Sequence, residues 1–288
     1  PSPGRVTRGT VDTLFSPLSV QGPMARSVPD VALFLDTMAG YCHLDPMTFD
    51  APSLSFSHAV AAPRRPHRVA FAATIGGSPV DQETENICRD SMRHFKNVGS
   101  KVEEIAIDLE NLEDTFLALR SQEFVIDREL QLQRYRDQIK PDIIWNTELG
   151  LEQSISTLAK AERARAALYA QFNDLFSRYD LIVTPGANTP AFDVELRFPE
   201  AINGIKLEHY MAASTLTAAV TISASPALSL PCGFDQYGRP IGLQLIGRPR
   251  GEAALLAAGA LFEVESGLAE QVPIDPRHGK VPPIGKLT

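Results

Sequence analysis

Few side chains in this sequence are able to carry chemistry, and their spacing excludes more than it supports. The six histidines, His43, His58, His67, His94, His209 and His278, are scattered. None stands three or four residues from another, so no helical turn offers a metal a pair of imidazoles. Cys42, Cys88 and Cys232 show no Cys-x-x-Cys spacing, and thiols this sparse imply a reduced, cytoplasmic chain. Cys232 precedes Gly233 with no histidine near it in sequence, which reads as a structural thiol, because a reactive thiolate needs a neighbouring base or cation. Gly76-Gly77-Ser78 offers backbone amides to an anion, but Pro79 removes one donor, and the stretch reads as a turn. Nucleophile-elbow, dinucleotide and phosphate-loop glycine patterns are absent from the sequence. No pair of carboxylates stands out. The residues by themselves display no catalytic apparatus.

The elements that would position a site are more legible. Over 227–247, Leu228 and Leu230 alternate with small residues, and Ile241, Leu243 and Leu245 repeat the period of two. With the polar stretch 235–240 between them, these runs predict two central strands joined by a turn. Ser229, Gly242 and Gly247 leave little bulk on the opposite face, where a ligand or another backbone can come close. Earlier in the chain, 1–26 reads as extended, and Ser27 caps a helix that Gly40 ends. Residues 41–66 read as a long surface excursion, of the kind that borders sites. A strand over 68–73, a helix over 81–99 and a strand over 101–107 form a strand-helix-strand unit, the mark of an α/β architecture. Helical patterns follow over 109–138, with Pro141 interrupting, and over 154–179. A buried strand spans 180–185, irregular chain 186–206, a helix 207–219 and a closing helix 251–265. From Pro273 the proline-rich tail reads as loosely held.

The chain has 288 residues, 44% of them hydrophobic and 22% charged, which is enough apolar material for a substantial core. No linker divides it, so the reading is one domain: 1–66 extended segment, helix and loop, 67–265 sheet and helices, 266–288 tail. The net charge of -8 argues against nucleic acid as a partner. No apolar run is long enough to cross a membrane, and the first residues lack the apolar segment of a signal peptide.

Four stretches together resemble the amidase signature family, hydrolases of carboxylic amides. They are Pro3-Gly-Arg-Val-Thr-Arg-Gly9, Ser19-Val-Gln-Gly-Pro-Met-Ala-Arg-Ser-Val-Pro-Asp30, Arg178-Tyr-Asp-Leu-Ile-Val-Thr-Pro185, and Ser225-Pro-Ala-Leu-Ser-Leu-Pro-Cys-Gly233 with Pro240-Ile-Gly-Leu-Gln-Leu-Ile-Gly247. They stand in the family's order and at its separations. The resemblance implies a large mixed β-sheet covered by helices, a small-molecule amide substrate, and no metal or organic cofactor; it also admits a homodimer. Family members use a lysine base, a bridging serine and a nucleophilic serine in a Gly/Ser-rich segment. All of these precede the motif with which this chain opens, at Pro1, so no catalytic residue is carried over.

What the resemblance does imply is a set of substrate-binding positions: Thr217 and Thr221 on the passage into the hairpin, Ser223 beside them, and Gln244 on the last strand. Arg26 matches a family arginine and is expected to act as a structural tie. The expectation is the later part of an amidase, incomplete on its N-terminal side, inactive alone, and completed by a missing segment or a second chain. An inactive binding or scaffold protein that keeps the fold is the alternative from another class. A third is the amidase subunit of a tRNA-dependent amidotransferase; against it, the acidic residue of such subunits reads Ser214 here.

Overall fold

The computed structural model of the protein describes residues 1–270, so the tail expected from Pro273 lies outside the described residues. Ser27 caps the first helix, α1 (Val28–Met38), by accepting the Asp30 amide hydrogen at 3.2 Å, with Pro29 in the first turn. The excursion expected over 41–66 holds a helix of its own, α2 (Phe56–Ala61). Its six residues show little period, and its start is secured from a distance. The Asp36 carboxylate of α1 accepts from the Phe56 amide at 2.6 Å, the Ser57 amide at 3.0 Å and the Ser57 hydroxyl at 2.6 Å.

After β1 (Arg68–Phe71), the helix expected over 81–99 is two, α3 (Gln82–Ser91) and α4 (Arg93–Asn97). At the break, the Ser91 hydroxyl donates back to the Cys88 carbonyl at 2.7 Å, and the Met92 amide bonds Arg89 one residue short of a helical turn. This is the competition for backbone acceptors that serines bring to helix interiors. Strand β2 (Lys101–Glu104) is shorter than the expected 101–107, with Ile107 forming only an isolated bridge to Ile75. Helix α5 (Leu112–Tyr135) follows. Pro141 then does more than interrupt: it opens α6 (Pro141–Leu151) at the one helical position where a missing N–H costs nothing.

Ser154 caps α7 (Ile155–Arg178), which leads into β3 (Leu181–Pro185). Residues 186–206, expected to be irregular, contain a small hairpin of β4 (Ala201–Ile202) and β5 (Ile205–Lys206), turned by Asn203 and Gly204 at positive φ. A 3₁₀ turn (Tyr210–Ser214) and α8 (Thr215–Ile222) replace the single helix expected over 207–219. The expected hairpin is β6 (Ala227–Phe234) and β7 (Pro240–Ile246), closed by α9 (Glu252–Ser266).

Five strands form one mixed sheet in the order β2-β1-β3-β7-β6, with β1 parallel to β2 and β3, and β7 antiparallel to β3 and β6. The period of two along each strand divides its side chains between two cores. Val69, Phe71, Leu181, Val183, Leu243 and Leu245 face α1, α2, α4 and α9, whereas Ala70, Ile182 and Ile246 face α5, α7 and α8. Every residue of β3 is buried, as a strand covered on both faces must be.

Candidate functional site

Strand β6 departs from this two-sided burial. Leu228, Leu230 and Cys232 face the core, while Ala227, Ser229 and Pro231 on its other face are exposed. Among the described residues β6 pairs only with β7, so one of its edges carries no ladder. The hairpin is held by its turn. The buried Asp235 carboxylate accepts from the Tyr237 amide at 3.0 Å and from the Arg239 amide at 2.8 Å, and it pairs with the Arg239 guanidinium at 2.5 Å. Gly238 takes the positive φ of 79° that the turn needs. Burial pushes the Asp235 carboxyl up, but the bonds from Arg239 and Tyr237 outweigh it and leave the group below its ordinary range.

Two hollows flank the exposed strip of β6. The smaller, about 280 Å³, is lined by Thr217, Thr221, Ser225, Ala227 and Gln244 across from Pro3, Leu18 and Pro23 of the N-terminal segment. Three of the four residues expected at a substrate site therefore share one cavity. Gln244 is buried, and its Nε2 donates to Thr184 Oγ1 at 3.2 Å. Because Thr184 gives its own proton to the Pro185 carbonyl, it is an acceptor here, which fixes the orientation of the Gln244 amide. Its Oε1 accepts no bond among the described residues. Thr217 is exposed and donates to the Ser214 carbonyl at 2.9 Å, leaving its oxygen free to accept. Ser223 is not brought to this cavity. It is fully buried and donates to the Val220 carbonyl at 2.8 Å, closing the end of α8. Arg26 is exposed and makes no bond or ion pair among the described residues, so the tie expected of it is not formed.

The larger hollow, about 550 Å³, opens on the other side of Ser229 and Gly242. Asn188, Phe192, Phe198, Tyr210 and Ser214 line it, and its one charged lining residue among the described residues, Arg197, pairs with Asp142 of α6. Asn188 is 1% exposed; its Nδ2 donates to the Pro79 carbonyl at 2.8 Å, and its Oδ1 has no partner among the described residues. The Tyr210 hydroxyl accepts from Asn146 Nδ2 at 2.7 Å and from Arg120 Nη2 at 3.2 Å. Of these residues only Ser214 was singled out from the sequence, and not as a lining residue. Tyr210 and its two donors lie 64 and 90 positions apart, and no local pattern announces such contacts.

What the arrangement offers is neutral. Among the described residues no charged side chain lines the smaller hollow, and no lysine lines either one. The site suits an uncharged group with hydrogen-bonding ends. Cys232 is buried with its Sγ 3.8 Å from that of Cys88. The hydrogen bond between the two thiols, then burial, pushes the Cys88 thiol far above the ordinary thiol range. The N-terminal wall of the smaller hollow is pinned by a buried ion pair: Arg5 Nη2 donates to Glu252 Oε2 at 3.0 Å, and Ser2 N to Glu252 Oε1 at 2.7 Å. Among the described residues no cluster of His, Cys, Asp or Glu is arranged to hold a metal ion, and no helix is long and apolar enough to cross a membrane.

Comparison with known proteins adds the family. The Amidase family profile matches residues 1–256. The chain belongs to the amidase signature family. Acylamidase of Rhodococcus erythropolis is 25% identical over 281 residues, covering 96% of this chain and 58% of the relative. A glutamyl-tRNA(Gln) amidotransferase subunit from Moorella thermoacetica is 31% identical, covering 91% and 58% respectively. Among solved structures, a bacterial aryl acylamidase of the amidase signature enzymes superposes with a TM-score of 0.82 at 23% identity, covering 95% of this chain and 60% of that one. A 6-aminohexanoate cyclic dimer hydrolase gives 0.82 at 17% identity, with 95% and 61% covered. At these identities the structural likeness establishes the fold. The chain spans about 60% of the length of the relatives it matches.

Proposed function

We propose that this chain forms the substrate-holding part of an amidase-type hydrolase acting on a carboxylic amide C–N bond. In this reading Thr217, Thr221 and Gln244 hold the amide in the smaller hollow. The nucleophilic serine, the bridging serine and the lysine base come from polypeptide outside these residues. One observation carries it: the uncharged strip along Ala227 and Ser229 adjoins both hollows, yet among the described residues no lysine lines either. A serine without an adjacent base is a poor nucleophile, and a tetrahedral oxyanion needs fixed donors aimed at it. Neutral lining suits an uncharged amide, since a charged group brought into such a cavity would lose hydration without gaining a partner.

The test is turnover by the homogeneous 288-residue chain on simple carboxamides and anilides, alone and with the uncovered part of the Rhodococcus acylamidase supplied in trans or fused in frame. The expected result is no release of ammonia or aniline alone and measurable release after completion. Turnover by the chain alone would overturn the proposal. Tight amide binding with no turnover in any combination would favour an inactive binding protein. A second reading, the amidase subunit of an amidotransferase, draws on the amidotransferase relatives. Ser214 speaks against it, because a hydroxyl stands where such subunits carry a carboxylate. Glutaminase activity appearing only with partner subunits would favour this second reading.

A further inference from the structure

Hydrogen-bond accounting in the larger hollow leaves one donor and one acceptor unmet, and the chemistry of their partners fixes both. Asn146 is 1% exposed; its Nδ2 donates to the Asp142 backbone carbonyl at 2.7 Å and to the Tyr210 hydroxyl at 2.7 Å, while its Oδ1 faces Arg120 Nε at 3.3 Å. A backbone carbonyl only accepts and a guanidinium only donates, so this amide cannot be turned around. The Tyr210 oxygen thus accepts twice, from Asn146 and Arg120, and its single proton must go elsewhere. No acceptor for that proton exists among the described residues, and Tyr210 borders the hollow. The same logic fixes Asn188, whose Nδ2 is committed to the Pro79 carbonyl, so that the unpartnered atom is an acceptor. Phe192 and Phe198 supply an apolar wall beside them.

We propose that the larger hollow is a specificity subsite for the part of the substrate remote from the scissile bond, and that Tyr210 donates its hydroxyl proton to an acceptor oxygen there. The complement of an O–H donor and aromatic walls is a neutral aryl or alkyl group bearing a carbonyl-type acceptor, whose oxygen meets Tyr210. Charged acids and amines are disfavoured. Asn146 and Arg120 are positioning residues, which orient the phenol without touching the ligand. Placing this subsite beside the reacting bond rests on the amidase reading; ligand binding in the hollow does not.

The chain's single tryptophan provides the readout, since the Trp145 ring lies 5.9 Å from that of Tyr210. Titrations of the full chain with benzamide, acetophenone, benzoate and α-methylstyrene are followed by Trp145 fluorescence, in the wild type and in Tyr210→Phe. The expected result is that benzamide and acetophenone bind, benzoate binds more weakly, and Tyr210→Phe weakens the first two by about 3- to 10-fold, the worth of one neutral hydrogen bond. Affinity for α-methylstyrene, which has the shape of acetophenone without the acceptor, stays unchanged. Equal affinities in wild type and variant for the acceptor-bearing probes would overturn the role of Tyr210 while leaving the amidase proposal standing. No fluorescence response to any probe would overturn the subsite itself. If Tyr210→Phe fails to fold, the wild-type preference for acetophenone over α-methylstyrene decides the matter, and a ratio near one rejects the donor. Failure of the completed enzyme to turn over any amide is a separate result that touches only the proposed function.

Discussion

Glu252 and Gln244 are both buried polar side chains, and their surroundings separate structure from function. Glu252 is saturated: its two oxygens take the Ser2 amide and both Nε and Nη2 of Arg5, in a pair 2% and 5% exposed. Gln244 keeps an oxygen unspent beside a cavity. Removing the carboxylate strands the Arg5 charge, so Glu252→Ala is expected to cost about 3–5 kcal/mol in denaturant unfolding, and Arg5→Met with Glu252→Leu to recover most of it. The pH dependence has a definite sign. Burial pushes the Glu252 carboxyl up, but the bonds from Ser2 and the charge of Arg5 outweigh it and hold the group below its unfolded value of 4.5. Its contribution is therefore fully present above pH 4.5 and lost as pH falls through the folded value. Stability that fell between about pH 8 and 6 instead, and was flat below, would contradict this. Thr217, Thr221 and Gln244 were legible only through family resemblance. Asn188, Tyr210 and their partners were not legible at all, because such contacts exist only once distant segments meet.

Among the elements, the hairpin was the most legible, since its alternation is strict and its turn carries Asp235, Gly238 and Pro240. Elements shorter or less periodic were missed for reasons that can be named. Helix α2 borrows half its cap from Asp36 of α1, and α6 starts on the proline that reads as a break. The uneven burial of β6 yields a prediction of its own. Amides of β1 and β3 are laddered on both sides, whereas among the described residues β6 bonds only toward β7. Hydrogen exchange by mass spectrometry is expected to label β6 well before β3, since opening an edge strand breaks fewer contacts than opening a central one. Equal protection of the two strands would mean that something outside the described residues covers that edge.

For the molecule as a whole, exposed apolar residues are not spread evenly. Ten large hydrophobic residues between Val11 and Leu54 are exposed, Phe15 at 75% and Met24 at 91% among them, of 23 found over all described residues. Four of the ten, Val11, Phe15, Val20 and Met24, lie on the N-terminal segment that walls the smaller hollow, and the other six on α1 and the chain after it; this surface is one that another polypeptide covers if the proposed function holds. The net charge of -8 opposes association of the isolated chain. Repulsion between like-charged molecules is long-ranged in dilute buffer but screened to about 8–10 Å near physiological salt, whereas burial of apolar surface is not weakened by salt. The isolated chain is therefore expected to gain mass in light scattering as salt rises from about 10 mM to about 0.5 M. Association through ion pairs would show the opposite trend. Supplying the complementary polypeptide should abolish the effect by occupying the apolar surface. A chain that stays monomeric across the whole salt series would show that this surface is content in water, and the case for a covering partner would fall with it.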